Sequence, residues 1–116
     1  MKFKLIVVLI KDEKTETVIE TARECGATGS TVITSARGEG LVPKKTFLGL
    51  DLAGHRDVVL LLVEEHLSRH ILEEIATTGE FDQEPGSGVA FQIDIEDAIG
   101  LRSQIETIER EIEDQI

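Results

Sequence analysis

The stretch FKLIVVLI, residues 3–10, is an apolar run rich in β-branched residues. Such a run is typical of a strand that is covered on both faces or lies in the centre of a sheet. A second run, Val58 to Val63, is the most hydrophobic stretch of the chain. Because the 116 residues include four Phe and no Trp or Tyr, these aliphatic runs must supply the core of a single domain.

The residues on either side of these runs predict the other elements. Apolar residues recur at helical spacing over 14–25 and 67–75, and Asp12 is placed to cap the first of these helices. Further strands are predicted at 31–36 and 89–93. The order strand, helix, strand, strand, helix, strand is the ferredoxin-like βαββαβ arrangement of an α+β protein. Helices cover one face of that sheet, so self-assembly is the simplest cover for the other face.

Two polar loops that contain glycine, over residues 37–56 and 79–88, separate the strands. Because glycine has no side chain, such a loop can turn its backbone N–H groups toward a bound phosphate. The residues concerned are Gly38, Gly40, Gly86, Ser87 and Gly88. The arginines that can add charge are Arg37, Arg56 and Arg102. Ordinary turn chemistry explains either loop alone, whereas the two loops together favour an anion site.

The last predicted element is a helix with an apolar stripe that continues to the final residue. The members of the stripe are Leu101, Ile105, Ile108, Ile112 and Ile116. We expect a domain over residues 1–102 and an added amphipathic helix over 103–116. The stripe favours packing onto the body of the chain. A seam within a trimer and a face that stays exposed for a partner are the alternatives.

The formal net charge is −11, from 12 basic and 23 acidic residues. Nucleic-acid binding needs a basic stripe that releases counterions, so this charge balance argues against it. The apolar start lacks a small-residue cleavage site, and no run reaches the length of a membrane span. We therefore expect a cytoplasmic protein with no membrane insertion. A single cysteine, Cys25, excludes an internal disulfide.

Two histidines raise the question of a metal or catalytic site. His66 and His70 are four residues apart, a spacing that lets two imidazoles share a metal ion. Both fall opposite the apolar face formed by Leu67, Ile71 and Ile75, which favours exposure to solvent over metal binding. Since no nucleophile stands in a recognisable motif, we expect no metal site and no enzymatic activity.

Three stretches form a more specific combination. Residues 26–32 read GATGSTV, residues 37–40 read RGEG, and residues 84–91 read EPGSGVAF, followed by AIGL at 98–101. In this order and on this βαββαβ plan they resemble the PII signalling family, and within it the divergent PII-like branch. The matching features of that family are its helix-to-strand turn, the glycine pair that opens its long T-loop, and its B-loop with the last strand.

The resemblance implies a homotrimer that binds an adenine nucleotide between subunits and catalyses nothing. The T-loop corresponds to about residues 37–56 and the B-loop to about 79–88. The nucleotide-binding residues implied at matching positions are Thr31, Gly38, Gly40, Arg56, Thr78, Gly79, Gly86, Ser87, Gly88 and Arg102. The T-loop of this family engages a partner, often a membrane transporter or a metabolic enzyme. The contact residues expected in this chain are Lys44, Lys45, Phe47 and Leu48.

Several cations of the family pattern are missing from this chain. The B-loop lysine is replaced by Val89, the first arginine of the closing pair by Gly100, and the arginine after the T-loop glycines by Leu41. Because fewer cations can balance fewer phosphate charges, we expect ADP or AMP as the ligand in preference to ATP. The alternative is a PII-fold interaction module that has lost nucleotide binding. Such a module would signal through another small effector, a metal or its C-terminal helix.

Overall fold

The computed structural model describes residues 1–36, 46–47, 50–51 and 56–115. The strands among these residues are β1 (Phe3–Lys11), β2 (Thr31–Ala36), β3 (Thr46–Phe47), β4 (Leu50–Asp51), β5 (Arg56–Glu64) and β6 (Gly88–Ile95). The helices are α1 (Thr15–Glu24), α2 (Glu65–Thr78) and α3 (Arg102–Gln115), with a 3-10 turn (Asp12–Lys14) before α1. This order confirms the ferredoxin-like βαββαβ fold with an added C-terminal helix.

Four strands form an antiparallel sheet in the order β2-β5-β1-β6. β1 lies inside the sheet, as its apolar sequence predicts: Leu5 pairs with Leu62 of β5 on one side and with Ile93 of β6 on the other. β3 and β4 pair with each other in a separate hairpin, which the sequence did not predict. Paired residues of neighbouring strands point to the same face, so the register assigns every side chain of the sheet to one of two faces.

One face, called here the helix face, carries the hydrophobic core. Ile6, Val8 and Ile10 of β1 are completely buried and alternate with partly exposed neighbours. α1 and α2 pack on this face through residues at helical spacing, as predicted. The buried residues of these helices are Val18, Ile19, Ala22, Leu67, Ile71 and Ile75.

The opposite face, called here the open face, is also apolar but remains partly accessible. The aliphatic residues that the register assigns to its two inner strands are Leu5, Val7, Leu9, Val58, Leu60 and Leu62. On the two edge strands, Ile33 and Ile93 are 50% and 48% exposed. Burial of apolar area contributes about 25 cal/mol per Å², so this face is suited to contact with another protein surface.

α3 packs onto the body of the chain through the predicted stripe. Ile108 is 4% exposed, and Ile112 packs against the core cluster. Glu111 lies close to Gly26, where the chain leaves α1. Within this chain the stripe packs onto the body through Ile108 and Ile112, and a seam between subunits stays a prediction to test. Ile116 lies outside the described residues, and the division of the chain at residue 102 stays a prediction.

Besides the β3–β4 hairpin, three further points differ from the predicted elements. Arg56 is the first residue of β5, where it pairs with Lys11, and so does not belong to the preceding loop. Gly88 is the first residue of β6 for the same reason, since it pairs with Ile10 of β1. Asp12 lies in the 3-10 turn, and no side chain caps α1. Pairing with the long central strand extends both neighbours beyond what their local sequence indicates.

Two smaller observations concern Cys25 and the helices. Cys25 is buried at the end of α1, and this desolvation raises the pKa of its thiol. In the described ranges, no helix has both the length and the apolar character that a membrane crossing requires.

Candidate functional site

A cleft of about 480 Å³ lies on the open face, where β2 and α3 begin. Its floor is apolar and consists of Leu5, Leu60, Leu62 and Leu101. Its rim is polar and includes Thr28, Ser30, Thr31 and Gln104. This cavity, called here the Thr31 cleft, has the size and the mixed lining that small-molecule sites have.

Two chain segments that are distant in sequence form the rim of the Thr31 cleft. Thr28, in the turn between α1 and β2, donates a hydrogen bond from Oγ1 to Gln104 Oε1 of α3 at 3.4 Å. Among the predicted nucleotide-binding residues, Thr31 lines the cleft. Arg102 is exposed and directly follows Leu101, a floor residue. The predicted residues Thr31 and Arg102 are therefore close to the same cavity.

Of the other predicted nucleotide-binding residues that the structure describes, Arg56 and Gly88 lie at the opposite end of the sheet. Arg56 pairs with Lys11 of β1 and with Ala36 of β2, and Gly88 pairs with Ile10. Arg56 is only 5% exposed. We call this region, with the loop 79–88, the phosphate end, after the role predicted for it.

A buried hydrogen bond supports the phosphate end from the helix face. Thr15 Oγ1, at the start of α1, donates to Asp57 Oδ2 at 2.6 Å. Both residues are buried. A hydrogen bond to a charged group in such a place typically contributes about 1.5–3 kcal/mol. It holds the first turn of α1 against the first residues of β5, next to Arg56.

The Thr31 cleft and the phosphate end are separated within one chain. Leu5 belongs to the cleft, and Lys11 is the partner of Arg56. Both residues lie on β1, and six residues at 3.4 Å each correspond to about 20 Å. The predicted nucleotide-binding residues that the structure describes thus include two groups, one at each end of the sheet, that no single chain brings together.

The loop 79–88 is folded around an aromatic ring. Phe81 lies directly against Gly79 and Gly88, and a side-chain carbon on either glycine would overlap its ring. Phe81 also packs against the core cluster. In this chain Gly79 and Gly88, both predicted to bind the nucleotide, therefore provide space for Phe81.

Ser87, predicted to contact a phosphate, is completely buried. Its Oγ donates to the Glu80 carbonyl at 3.3 Å, and its N–H donates to the Glu84 carbonyl at 3.1 Å. Glu80 has a φ of 56°, in the left-handed region that costs a residue other than glycine about 1 kcal/mol or more. Since both polar groups of Ser87 have partners inside the loop, a phosphate contact by Ser87 requires this loop to rearrange.

Lys14 ties the loop 79–88 to the start of α1. Its Nζ donates to the Gly79 carbonyl at 3.0 Å and to Glu84 Oε2 at 2.9 Å, with Glu80 Oε2 at 3.8 Å. The hydrogen bond with Glu84 raises the pKa of Lys14 and lowers the pKa of Glu84. Both shifts favour the charged forms of the pair, so this contact is present at neutral pH and weakened by salt.

The remaining predicted residues are placed as follows. Thr78, in the last turn of α2, accepts a hydrogen bond from Thr21 Oγ1 of α1 at 3.1 Å. Gly86 is partly buried. Of Phe47 the structure describes only the backbone, in β3. The predicted residues that lie outside the described ranges are Gly38, Gly40, Lys44, Lys45 and Leu48.

Three neighbouring side chains could hold a metal ion by their geometry. Glu64, Glu65 and His66 offer ligand atoms within 4.8 Å of one another. However, the buried Glu64 carboxylate already caps α2, because it accepts a hydrogen bond from the His66 backbone N–H at 2.7 Å. The same carboxylate contacts His66 Nδ1, and this contact raises the pKa of His66. His66 and His70 are both exposed, as predicted. The N-cap explains this group of residues.

Sequence reasoning missed three residues of this region: Lys14, Phe81 and Gln104. Phe81 carried a usable signal, since it is the one aromatic residue within the loop 79–88. Lys14 and Gln104 carried none, because Lys14 meets Gly79 at a sequence separation of 65 and Gln104 meets Thr28 at a separation of 76.

The structure is a small ferredoxin-like domain with a cleft on its open face that two distant segments of the chain line. The sequence profile of the family described as nitrogen regulatory protein P-II matches residues 3–105. The chain therefore belongs to the nitrogen regulatory protein P-II family, whose members are regulatory signalling proteins. This membership confirms the family resemblance drawn from the sequence motifs. No curated protein sequence matches the chain.

Solved structures with the same fold include PII-like proteins of two bacteria. A PII-like signalling protein of Thermus thermophilus has a TM-score of 0.61 at 21% identity, over 82% of this chain and 88% of that one. CPII of Thiomonas intermedia, a nitrogen regulatory PII-like protein bound to ADP, AMP and bicarbonate, has a TM-score of 0.63 at 20% identity, over 86% and 97% of the two chains. CPII bound to ADP, AMP and acetate has a TM-score of 0.61 at 22% identity, over 81% and 86%. At these identities the likeness concerns the fold.

Proposed function

We propose that this chain is a cytoplasmic, trimeric, non-enzymatic regulator that binds ADP or AMP and controls a partner through its T-loop. The observation that carries the proposal is the position of the Thr31 cleft on the open face. A second subunit packed on that face turns an open cleft into an enclosed site between subunits. Enclosure is what gives a small ligand most of its buried contact area.

Assembly is supported by the open face itself. Its central leucines and valines, with the half-exposed Ile33 and Ile93, form an apolar surface on the side of the sheet opposite to the α1 and α2 layer. Three copies that turn this face inward would bury it around a common axis. Light scattering at micromolar concentration should return the mass of a trimer. A monomer or dimer mass contradicts the proposal.

Nucleotide binding is supported by the division of the predicted residues into two groups. Thr31 and Arg102 lie at one end of the sheet and Arg56 at the other, about 20 Å apart along β1. Neighbouring subunits can bring the two groups together, whereas one chain cannot. CPII, which shares the fold, binds ADP and AMP. The missing cations at Val89 and Gly100 favour these nucleotides over ATP.

Titration calorimetry with AMP, ADP and ATP tests the nucleotide site. Arg102→Ala should weaken ADP binding about ten- to a hundredfold if this arginine makes a charge-assisted phosphate contact. Arg110→Ala is the matched control, since Arg110 is an exposed arginine of the same helix. Equal affinities of both variants remove Arg102 from the site. A strong preference for ATP over ADP contradicts the reasoning from the missing cations.

Control of a partner, such as a membrane transporter or a metabolic enzyme, is assigned to the T-loop. The proposed contact residues are Lys44, Lys45, Phe47 and Leu48. An aromatic anchor is the usual centre of such a contact. If ADP acts through the T-loop, it should change the hydrogen-exchange rates of the amides in residues 41–55. Identical exchange with and without bound ADP contradicts control by this route.

A second candidate function is an interaction module that has lost nucleotide binding. It is favoured by the filled interior of the loop 79–88, where Phe81 occupies the space beside both glycines and Ser87 is completely buried. The same calorimetric titration separates the two functions. A trimer that binds none of the three nucleotides supports the interaction module, which would signal through another small effector, a metal or α3.

A further inference from the structure

We infer that the added helix α3 supplies a base-reading side chain, Gln104, to the Thr31 cleft, and that Gln104 selects adenine over guanine. The inference rests on the proposed function and adds to it a residue that determines the choice of nucleotide. It also gives α3 a role in the binding site beyond its packing on the body of the chain.

The position of Gln104 follows from the way α3 is held. Leu101, the residue before α3, and Gln104, in its first turn, are three residues apart, and both line the same cavity, one as floor and one as rim. Further along the helix, Ile108 is 4% exposed and Ile112 packs against the core cluster. The buried half of α3 thus fixes the angle at which its first turn meets the cleft. A recognition side chain on such a supported helix is positioned more accurately than one on a loop.

The carboxamide of Gln104 has a weak contact within the chain. Thr28 Oγ1 donates to Gln104 Oε1, which places the oxygen toward Thr28. The oxygen retains a second lone pair, and Nε2 retains two N–H donors. Gln104 therefore offers a donor and an acceptor side by side at the rim of the cleft.

This donor and acceptor pair matches one purine edge. Adenine presents the N6 amino group as a donor beside the N7 acceptor, and glutamine pairs with both. Guanine presents two acceptors there, O6 and N7, so the carboxamide oxygen would face an oxygen without a proton between them. The leucine floor contacts the apolar faces of either ring equally. Discrimination between adenine and guanine must therefore come from the polar rim of the cleft, where Gln104 lies.

The contact between Thr28 and Gln104 does not by itself explain Gln104. Its length of 3.4 Å is beyond the usual range for hydroxyl donors. Gln104 is exposed, so the bond competes with water and adds little to stability. A ligand that fills the cavity would exclude water from Gln104. A hydrogen bond from Gln104 to that ligand would therefore contribute more free energy than the exposed bond to Thr28 does.

Calorimetric titrations with ADP and GDP test the inference on four proteins of the full chain: the wild type, Gln104→Ala, Gln104→Glu and Glu109→Ala. Glu109 is the control, because it is exposed on α3 and does not line the cleft. Gln104→Ala should bind ADP about tenfold more weakly and GDP as the wild type does. Gln104→Glu, which can only accept hydrogen bonds, should also lose affinity for ADP. Glu109→Ala should bind both nucleotides as the wild type does. Circular dichroism confirms that each variant is folded.

Each other outcome overturns a defined part of the argument. If the wild type binds ADP and Gln104→Ala binds it equally well, the inference fails while the proposed function stands. If Gln104→Ala loses ADP and GDP to the same extent, Gln104 supports the shape of the cleft and does not read the base. If the wild type binds neither nucleotide, the proposed function fails and the inference fails with it.

Discussion

The two faces of the β-sheet differ in how completely one chain covers them. On the helix face, Leu61 is 1% exposed beneath the helices, together with Val59 and Val63 of the same strand. On the open face, the neighbouring leucines of that strand, Leu60 and Leu62, are partly exposed and form the floor of the Thr31 cleft. Leu61 and Leu62 are adjacent in sequence and chemically identical. Only the direction in which each side chain points distinguishes them.

This difference separates the residues that stabilise the fold of one chain from those on the face proposed for assembly and ligand binding. The helix face holds the core that α1 and α2 complete. The open face holds apolar area and a cleft that one chain leaves accessible. Substitutions on the helix face should therefore affect folding at any protein concentration. Substitutions on the open face should affect assembly and ligand binding first.

The largest expected effect comes from truncating the two adjacent leucines. Leu61→Ala should lower the free energy of unfolding by about 3 kcal/mol, because it leaves a cavity in a packed core. Leu62→Ala should cost about 1 kcal/mol or less in the dissociated chain, because little packing is lost there. Urea denaturation at protein concentrations low enough to keep the chain monomeric measures both. Equal costs would mean that the two faces are equally packed within one chain.

The next effect concerns α3, which extends the packed layer. Ile108→Ala should lower the free energy of unfolding by about 2 kcal/mol, since Ile108 is buried. Glu109→Ala, at the next and exposed position, should change it by no more than about 0.5 kcal/mol. Thermal unfolding measures both variants. Removal of residues 103–116 should lower the melting temperature and leave the assembly mass unchanged. Dissociation of the truncated protein would instead assign the stripe to a seam between subunits.

A smaller effect is expected where Phe81 meets the glycines. Gly88→Ala should cost about 1–3 kcal/mol, because its methyl group overlaps the Phe81 ring and the loop must shift. Gly29→Ala is the control, since no atom lies within 4 Å of the position its methyl group would take. Denaturant titration in the absence of nucleotide compares the two variants. If Phe81→Leu in the Gly88→Ala background restores stability, the overlap with the ring is the cause.

The smallest effect is a pH dependence at the N-terminus of α2. Glu64 raises the pKa of His66 above its ordinary value of 6.5, so protonated His66 is stabilised in the folded chain. This contribution is fully present below the unfolded pKa and is lost as the pH rises through the folded pKa. The difference in melting temperature between the wild type and His66→Gln should therefore be larger at about pH 5.5 than at about pH 9. His70→Gln, on the exposed side of the same helix, is the control. A difference that does not vary with pH contradicts the role of the imidazole charge.

The candidate site was predictable only in part, and its loop 79–88 shows why. The glycines at 86 and 88 could be interpreted as a loop that approaches a phosphate, because glycine permits such an approach wherever it occurs. What occupies the space beside a glycine depends on which side chain folds back onto it. In this chain that side chain is Phe81, and Lys14 holds the loop from another element. Both contacts depend on the path of the chain.

The sequence by itself determined the order of the three helices and of the four strands of the main sheet, the inner place of the FKLIVVLI strand, the exposure of His66 and His70, and the family. Each follows from periodicity or from a local motif, which act over a few residues. Tertiary structure alone decided which loop glycines are filled and where α3 packs. It also decided that Thr31 lies at one end of the sheet and Arg56 at the other. These features depend on strand register and on contacts between residues far apart in the chain, and local sequence does not encode such distances.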